Sequence, residues 1–536
     1  MSSNGDHNYI GRATVIIAVF SLLAKILGLA RDAVFSYKFG TSPVIDAYFA
    51  AFRVPDFVFN LLVLGTFSVA FIPIFSEYLL KDRKAADRLA SSIINVTLFM
   101  MLVLIATAFI FITPLTRAIA PGFTGQAFDL TRNFTKIFLL SPLFLTLSSI
   151  VSSMLNTHKR FAIVSLSPVI YNLSIILGVL LLYPQLGPTG LAWGVVLGSF
   201  LHFAIQLPQL FRIGFDYTWR IDFKNSGFIK FWKLYWPRIF SMGTNQVTLL
   251  VATFFGSYLS AGSLSAFYYA NNLQAVFLSI FAVSAALAVF PLLSDLYNQK
   301  DTESFKNVLA KTSVQILFFM IPLSVFMLIM RAQFVRLILG IGSHTNFSFA
   351  DTRIVSLTLG LFAVSLFAQS LIPLFTRAFY SRQNTAVPVI IGFVTIAINL
   401  AATYYLAGRY GIPGMALAFS ITSVINLMLL IMELHRQIGS IRDEYLIINS
   451  LKILMSSLIG GAICYVSLYA IAPLVNMHTY IGVFLQAAGS GLAGVIAYLA
   501  FSWLFGITEA RHLMGLLRTT AYKFSRPFVF IWNNWG

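Results

Sequence analysis

The sequence predicts an all-α polytopic membrane protein of about fourteen transmembrane helices, two pseudo-symmetric six-helix halves plus two C-terminal helices. Three observations predict it. Of its 536 residues, 58% are hydrophobic and only 10% charged, where soluble domains carry about 25% charged residues; the mean hydropathy is +0.84. The apolar runs are continuous over roughly 20 residues, which points to helices, whereas a barrel shows short alternating strands. Basic residues, finally, collect on alternate connections between those runs.

The predicted spans are 10–37, 44–79, 89–116, 130–155, 162–183, 188–211, 231–260, 264–297, 306–330, 352–379, 386–407, 412–433, 448–473 and 479–506. The run 44–79 is long for one crossing, so it tilts, bends near Pro55, or extends past the bilayer. One set of connections carries Lys81, Arg83, Lys84 and Arg88, then Lys159 and Arg160, then Arg212 through Lys233, then Lys300 and Lys306, Arg377 and Arg382, and Arg436 and Arg442. The other set is poor in Lys and Arg (TSPVID, YPQLGPTG, SYLSAGS, LVNMHT), apart from Lys38, Arg117, Arg409 and the 331–353 connection. The positive-inside rule places the first set, both termini and residues 212–230 in the cytoplasm. The net charge of +18 therefore reflects membrane orientation, not nucleic-acid binding. One cysteine, Cys464 in an apolar run, excludes a disulfide framework. The polar stretch Met1 to Asn8 and the absence of a small-residue cleavage site speak against a cleaved signal peptide.

The halves resemble each other. Residues 47–79 align without a gap on 265–297, matching Phe49 with Phe267, Val58 with Val276, Phe59 with Phe277 and Pro73 with Pro291. Asn172 and GPTGLAWG (187–194) match Asn399 and GIPGMALA (411–418). An even number of spans between equivalents makes the repeats parallel, as in transporters whose halves rock about a central site. The chain divides into an N-terminal half 1–211, a cytoplasmic amphipathic linker 212–230, a C-terminal half 231–437, two additional helices in 438–510 and a basic, aromatic tail 511–536. For the linker, a membrane-surface segment and an ordinary solvated loop both fit; the tail reads as interfacial.

The stretch that carries chemistry is 25–71, where Lys25, Arg31, Asp32, Asp46, Arg53 and Asp56 interrupt apolar sequence. A charge at membrane depth costs roughly 2.5–3.5 kcal/mol on insertion scales, so such residues face a bundle interior or watery cavity and pair there. The alternative is that Lys25 and Arg31 snorkel to an interface and Asp32 merely neutralises Arg31. The repeat-equivalent eighth span is nearly uncharged, with Asn271 and Asn272 opposite Arg53 and Val54. Those amides either line the cavity or bond helix to helix. Lys136 and Arg238 lie near span ends, where snorkelling is the simpler reading. There is no phosphate-cradling Walker loop, the histidines are scattered, and no paired carboxylates occupy an outer loop. That pattern favours a transporter over an enzyme.

The chain resembles the MurJ (MviN) lipid II flippases of the MOP exporter superfamily over essentially its first 510 residues. The matching stretches are LGLARDAVFSYKFG (27–40), DAYFAAFRVP (46–55), GTFSVAFIPIFSEY (65–78), APGF (120–123), LNTHKRF (155–161), SPVIYN (167–172), GLAWG (190–194), QLPQL (206–210) and FYSRQNTAVPV (379–389). By position, Arg31 matches a family cavity arginine, Asp32 and Asp46 its acidic neighbours, and Lys25 and Arg53 stand where basic residues are common. The chain departs from the family at Phe59 and Leu64, where an arginine and a glutamate are usual. It departs again at Asn271-Asn272, where Asp-Arg is usual, and at Ala275, where an acid is usual.

The resemblance implies translocation of undecaprenyl-pyrophosphate-linked peptidoglycan precursor between leaflets by alternating access. Lys25, Arg31, Asp32, Asp46, Arg53, Asn271 and Asn272 would contact the substrate, because Arg and Lys give charge-assisted hydrogen bonds to pyrophosphate. No cofactor or metal is expected; coupling would be to membrane potential or a monovalent cation. Partners expected are lipid II or a similar glycolipid, membrane lipids and cell-wall synthesis proteins, with no nucleic acid. Helices 13 and 14 would shelter the polyprenyl tail. The rivals are an exporter of another polyprenyl-linked glycan or of cationic drugs, and a non-transporting scaffold for cell-wall enzymes.

Overall fold

The computed structural model describes residues 3–62, 67–239, 243–342, 345–513 and 515. Among these the chain is helical, with no strand. It forms two compact units by sequence: Met1–Asn272, Ile338–Val355 and Ile396–Met415 in the first, and Leu273–Leu337, Ser356–Thr395 and Ala416–Gly536 in the second.

The first unit opens with α1 (Ser3–Phe39), α2 (Pro43–Ala51), α3 (Arg53–Leu62) and α4 (Phe67–Lys81). The 44–79 run is thus broken, and its first break has a local cause. Pro55 has no N–H to give the carbonyl of Ala51, and its ring crowds that carbonyl, so α2 ends at Ala51. Next come α5 (Arg83–Ile110), α6 (Ile112–Ile119), α7 (Gly125–Phe138), α8 (Ser141–Thr157) and α9 (Phe161–Leu177), then α10 (Tyr183–Leu186), α11 (Pro188–Ala204), α12 (Leu207–Arg212), α13 (Ser226–Ile239), α14 (Gly243–Gly256) and α15 (Ser263–Phe277). Phe67, Phe71 and Phe75 of α4 and Phe231 and Tyr235 of α13 form a buried aromatic cluster against α5 and α8.

Between α12 and α13 the chain runs as an extended strap along α5. The Thr218 and Asp222 amides donate to Ser91 Oγ and Ser92 Oγ at 3.1 Å, and Asn95 Nδ2 donates to Thr218 O at 3.1 Å. Trp219, Ile221 and Phe223 are exposed. The tail beyond residue 515 lies outside the described residues.

The second unit contains α16 (Ser284–Asn298), α17 (Thr302–Ile329), most of α18 (Arg331–Ile338), the later part of α19 (Phe349–Val364), α20 (Leu366–Ser381), the two ends of α21 (Ala386–Ile438), α22 (Asp443–Ile471) and α23 (Tyr480–Leu504). α19 and α20 meet at 49°. The carbonyls freed by this break are taken up by side chains: Ser420 Oγ donates to Leu361 O and Ser324 Oγ to Ala363 O, both at 2.6 Å. Backbone at membrane depth is tolerated outside a helix only when such donors replace the lost bonds. α22 and α23 pack closely where Gly460 meets Gly494.

The repeated Gly/Pro turns share one geometry. Gly187 (φ 61, ψ −147) precedes α11, and Gly411 (φ 62, ψ −138) interrupts α21. Three residues on, a Cβ at Gly190 would lie 2.5 Å from Leu182 O, and one at Gly414 would lie 2.1 Å from Leu406 O. Both turns therefore need glycine twice, once for positive φ and once for close approach. At 1.5 Å per residue, the 53 residues of α21 would run about 80 Å unbroken, more than twice the hydrocarbon thickness. Gly411 divides them where the sequence predicts two spans.

By length and composition, nine helices among the described residues are able to cross a membrane, or ten with the bent pair α19–α20. The predicted count of about fourteen is therefore not reached by single long helices. The shortfall falls in part on 44–79, broken between α2 and α3, and on 231–260, of which residues 240–242 lie outside the described ones.

Candidate functional site

Three predicted site residues, Asp32, Asp46 and Arg53, meet one face of α15. Ser265, Tyr268 and Asn272 stand at i, i+3 and i+7, a single stripe on a helix. Each touches a different polar residue of the N-terminal helices, so this stripe organises the site.

At its start, Asp46 of α2 is buried, and its carboxylate accepts the backbone N–H groups of Gly262 (2.6 Å) and Ser265 (2.7 Å). These are orphan donors at the N-terminus of α15, so Asp46 caps that helix from another segment. Both of its oxygens are committed to backbone.

In the middle, the Tyr268 ring stacks on Phe49 with centroids 4.8 Å apart and lies 5.0 Å from the Arg53 guanidinium carbon. Arg53 is 8% exposed; its Nε donates to Phe49 O at 3.3 Å and its Nη2 lies 3.5 Å from Asp56. Its Nη1 is buried and has no hydrogen-bond acceptor among the described residues. A buried unmet donor costs about 1–3 kcal/mol, so this N–H is poised to accept an anion or water.

At the far end, Asn272 Nδ2 donates to Asp32 Oδ2 at 2.8 Å. The other oxygen of Asp32 accepts Arg31 Nε (3.1 Å) and Nη2 (2.9 Å). Arg31 Nη1 donates to Asn172 Oδ1 at 3.3 Å, and Asn172 Nδ2 bonds Pro168 O and Ala24 O at 3.0 and 3.4 Å. The Asp32 side chain is 3% exposed and that of Arg31 22%. A neutralised, hydrogen-bonded charge pair thus joins α1, α9 and α15, with the arginine its accessible member. Tyr48, 2% exposed, has a buried hydroxyl without a partner among the described residues.

Of the seven predicted site residues, Arg31, Asp32 and Asn272 come together directly; Asp46 and Arg53 join the same α15 face. Lys25 and Asn271 are half-buried on α1 and α15. Lys136 lies 6.0 Å over the Phe109 ring. At the positions where the chain departs from the family, Phe59 packs against Val58 and Met101 and Ala275 is exposed; Leu64 and the Arg238 side chain lie outside the described residues. Sequence reasoning used Asn172 only as a repeat landmark. The signal that would have placed it in the site is a lone amide inside the apolar run LSPVIYNLSIIL.

A family profile described as "Lipid II flippase MurJ" matches residues 35–485, well over half of the chain. The chain belongs to the MurJ family. The probable lipid II flippase MurJ of Buchnera aphidicola subsp. Acyrthosiphon pisum is 28% identical over 500 residues, covering 92% of this chain and 97% of that protein. The corresponding protein of Buchnera aphidicola subsp. Schizaphis graminum is 30% identical over 432 residues, covering 80% and 83%. Among solved structures, lipid II flippase MurJ in an inward closed conformation superposes with a TM-score of 0.77 at 27% identity, covering 93% of this chain and 100% of that one. An inward-facing multidrug resistance MATE transporter of the MOP superfamily shares the fold, with a TM-score of 0.66 at 14% identity, covering 80% and 99%. The all-α polytopic fold expected from composition is the fold of this family.

Proposed function

We propose that this MurJ-family protein is a flippase that moves lipid II from the inner to the outer leaflet of the bacterial cytoplasmic membrane by alternating access. Both termini lie in the cytoplasm in this reading, and the two six-helix halves move about the polar site. The observation that carries it is Arg31, an accessible guanidinium at membrane depth whose counter-charge Asp32 is held by Asn272. Asp32 occupies two of the guanidinium nitrogens, Nε and Nη2. A pyrophosphate presents the same kind of acceptor with more oxygens, so Arg31 exchanges one charge-assisted set of hydrogen bonds for another at little net cost. Asn272 keeps the displaced carboxylate in place for the return step. The unmet Nη1 of Arg53 supplies a second donor and Lys25 a third cation. Asp46 acts by fixing the start of α15. The family charges missing at Phe59, Asn271, Asn272 and Ala275 leave these three cations to hold the pyrophosphate. Membrane potential or a monovalent cation gradient drives the cycle.

The experiment is complementation of bacteria depleted of their own lipid II flippase, with parent and Arg31→Ala compared at equal membrane levels. Rescue by the parent alone supports the proposal. Rescue by both removes Arg31 as anchor and favours a scaffold. Failure of both at full membrane expression points to a different polyprenyl-linked glycan.

A further inference from the structure

A second basic site lies away from the α15 stripe, within the second unit. A cavity of about 560 Å³ opens where α16 ends, α17 begins, and α20 and α21 end, lined by Tyr297, Lys300, Thr302, Arg382 and Gln437 over the apolar Phe305. Arg382 Nη1 donates to Gln437 Oε1 at 2.8 Å, and its guanidinium carbon lies 6.0 Å from the Tyr297 ring centroid. Neither Lys300 nor Arg382 forms an ion pair with a carboxylate among the described residues, although Lys306 pairs with Glu303 and Arg436 with Glu433 close by. Asp301, next to Lys300 in the chain, accepts the Ser304 N–H on Oδ1 at 2.9 Å and makes no ion pair with Lys300.

The backbone adds an independent observation. Lys300 sits at φ 58, in the position after α16 where the Lys300 and Asp301 amides close back on Tyr297 O and Leu296 O. Glycine or asparagine suits that left-handed residue, which Lys159, Gln383 and Arg442 also adopt, so the lysine there carries a backbone cost that glycine would relieve. Lys300 is one of the residues that line the cavity.

We propose that this cavity binds the phosphodiester headgroup of an anionic phospholipid of the cytoplasmic leaflet. The inference rests on the orientation given above, in which the basic connections face the cytoplasm. Two uncompensated cations and the amide and hydroxyl groups of Gln437 and Thr302 match one phosphate. The volume falls in the range of small-ligand sites. α15 continued through α16, α17, α21 and the bent pair α19–α20 are apolar and long enough to span a membrane, so their basic ends stand at the depth where lipid phosphates are the concentrated anion. Each Lys or Arg near an anionic surface contributes about a five-fold gain in affinity.

The test titrates the purified full chain in mixed micelles with phosphatidylglycerol, phosphatidylcholine and soluble glycerol phosphate. The parent is expected to prefer phosphatidylglycerol over phosphatidylcholine, with Lys300→Gln and Arg382→Gln each weakening that preference about five-fold. Lys300→Gly is expected to raise the thermal midpoint while weakening binding equally, a combination that a purely structural lysine would not give. Equal retention of both lipids by the parent, or a preference untouched by the variants, overturns the proposal. Glycerol phosphate binding as tightly as the lipid overturns the lipid source. Complementation is scored separately, so loss of lipid preference is distinct from loss of flipping. A cysteine at position 300 in a Cys464→Ala background, labelled from one side of the membrane, reports the orientation by itself.

Discussion

Removing the Asp32 carboxylate isolates the Arg31 site most sharply. Asp32→Ala leaves the Arg31 charge without its counter-ion and the Asn272 amide without its acceptor. Breaking a buried pair from one side costs about 3–5 kcal/mol. Arg31 is partly accessible and keeps Asn172, which places the loss at the lower end, about 3 kcal/mol. Replacing both members by apolar residues of similar size, Arg31→Met with Asp32→Leu, removes the desolvated charges together and is expected to cost only about 1 kcal/mol. The assay is denaturant unfolding in one detergent, followed by helical circular dichroism, for the parent, both single variants and the double. The double variant should recover at least half of the Asp32→Ala loss and still fail complementation, separating stability from transport. Losses that add, or an Asp32→Ala protein within about 0.5 kcal/mol of the parent, would refute a paired, buried carboxylate.

Asp46→Ala uncaps α15 and should destabilise by about 1–2 kcal/mol, with Asp46→Asn milder because it keeps an acceptor oxygen; the same unfolding assay reads both. A Cβ at Gly194 would come 2.8 Å from the Gly178 Cα, so Gly194→Ala forces α9 and α11 apart and should cost about 1–3 kcal/mol, seen as a lower melting midpoint. Ser304, through its hydroxyl and then its backbone N–H, holds the Asp301 carboxyl below the usual range. Its folded pKa is therefore lower than its unfolded value near 3.9, so its stabilisation is full above about pH 4 and is lost as pH falls through the folded value. Asp301→Asn should flatten the acid limb of a stability-against-pH curve and leave the slope above pH 5 unchanged.

Much of this architecture is visible in the sequence because membrane depth punishes polarity. Arg31 and Asp32 announce themselves as charges inside an apolar run, and their pairing follows from that cost. The turns at Gly187 and Gly411 show as glycine and proline in matching spacing, and the structure gives them matching dihedrals. The strap along α5 is not legible, because a run of mixed aromatic and basic residues fits a membrane-surface segment and a solvated loop alike. The role of Asp46 is not legible. Its acceptors are backbone N–H groups more than two hundred residues away, and backbone donors have no letter in a sequence. Asn172 escaped because one amide carries no charge to mark it. The break before Pro55 is predictable in kind, but the four-residue reach of the missing hydrogen bond moves it back to Ala51.

The α15 stripe also has a consequence in time. Asp32 and Asn272 are separated by 240 residues. At ribosomal speeds of roughly 5–20 residues per second, the first helix waits on the order of tens of seconds in the translocon or lipid before Asn272 exists. During that interval Arg31 and Asp32 have only each other, joined partway by Asn172. Their adjacency in sequence is thus a provision for biogenesis: Arg31 enters the bilayer with its counter-charge beside it, and the later helix finds the acid already in place.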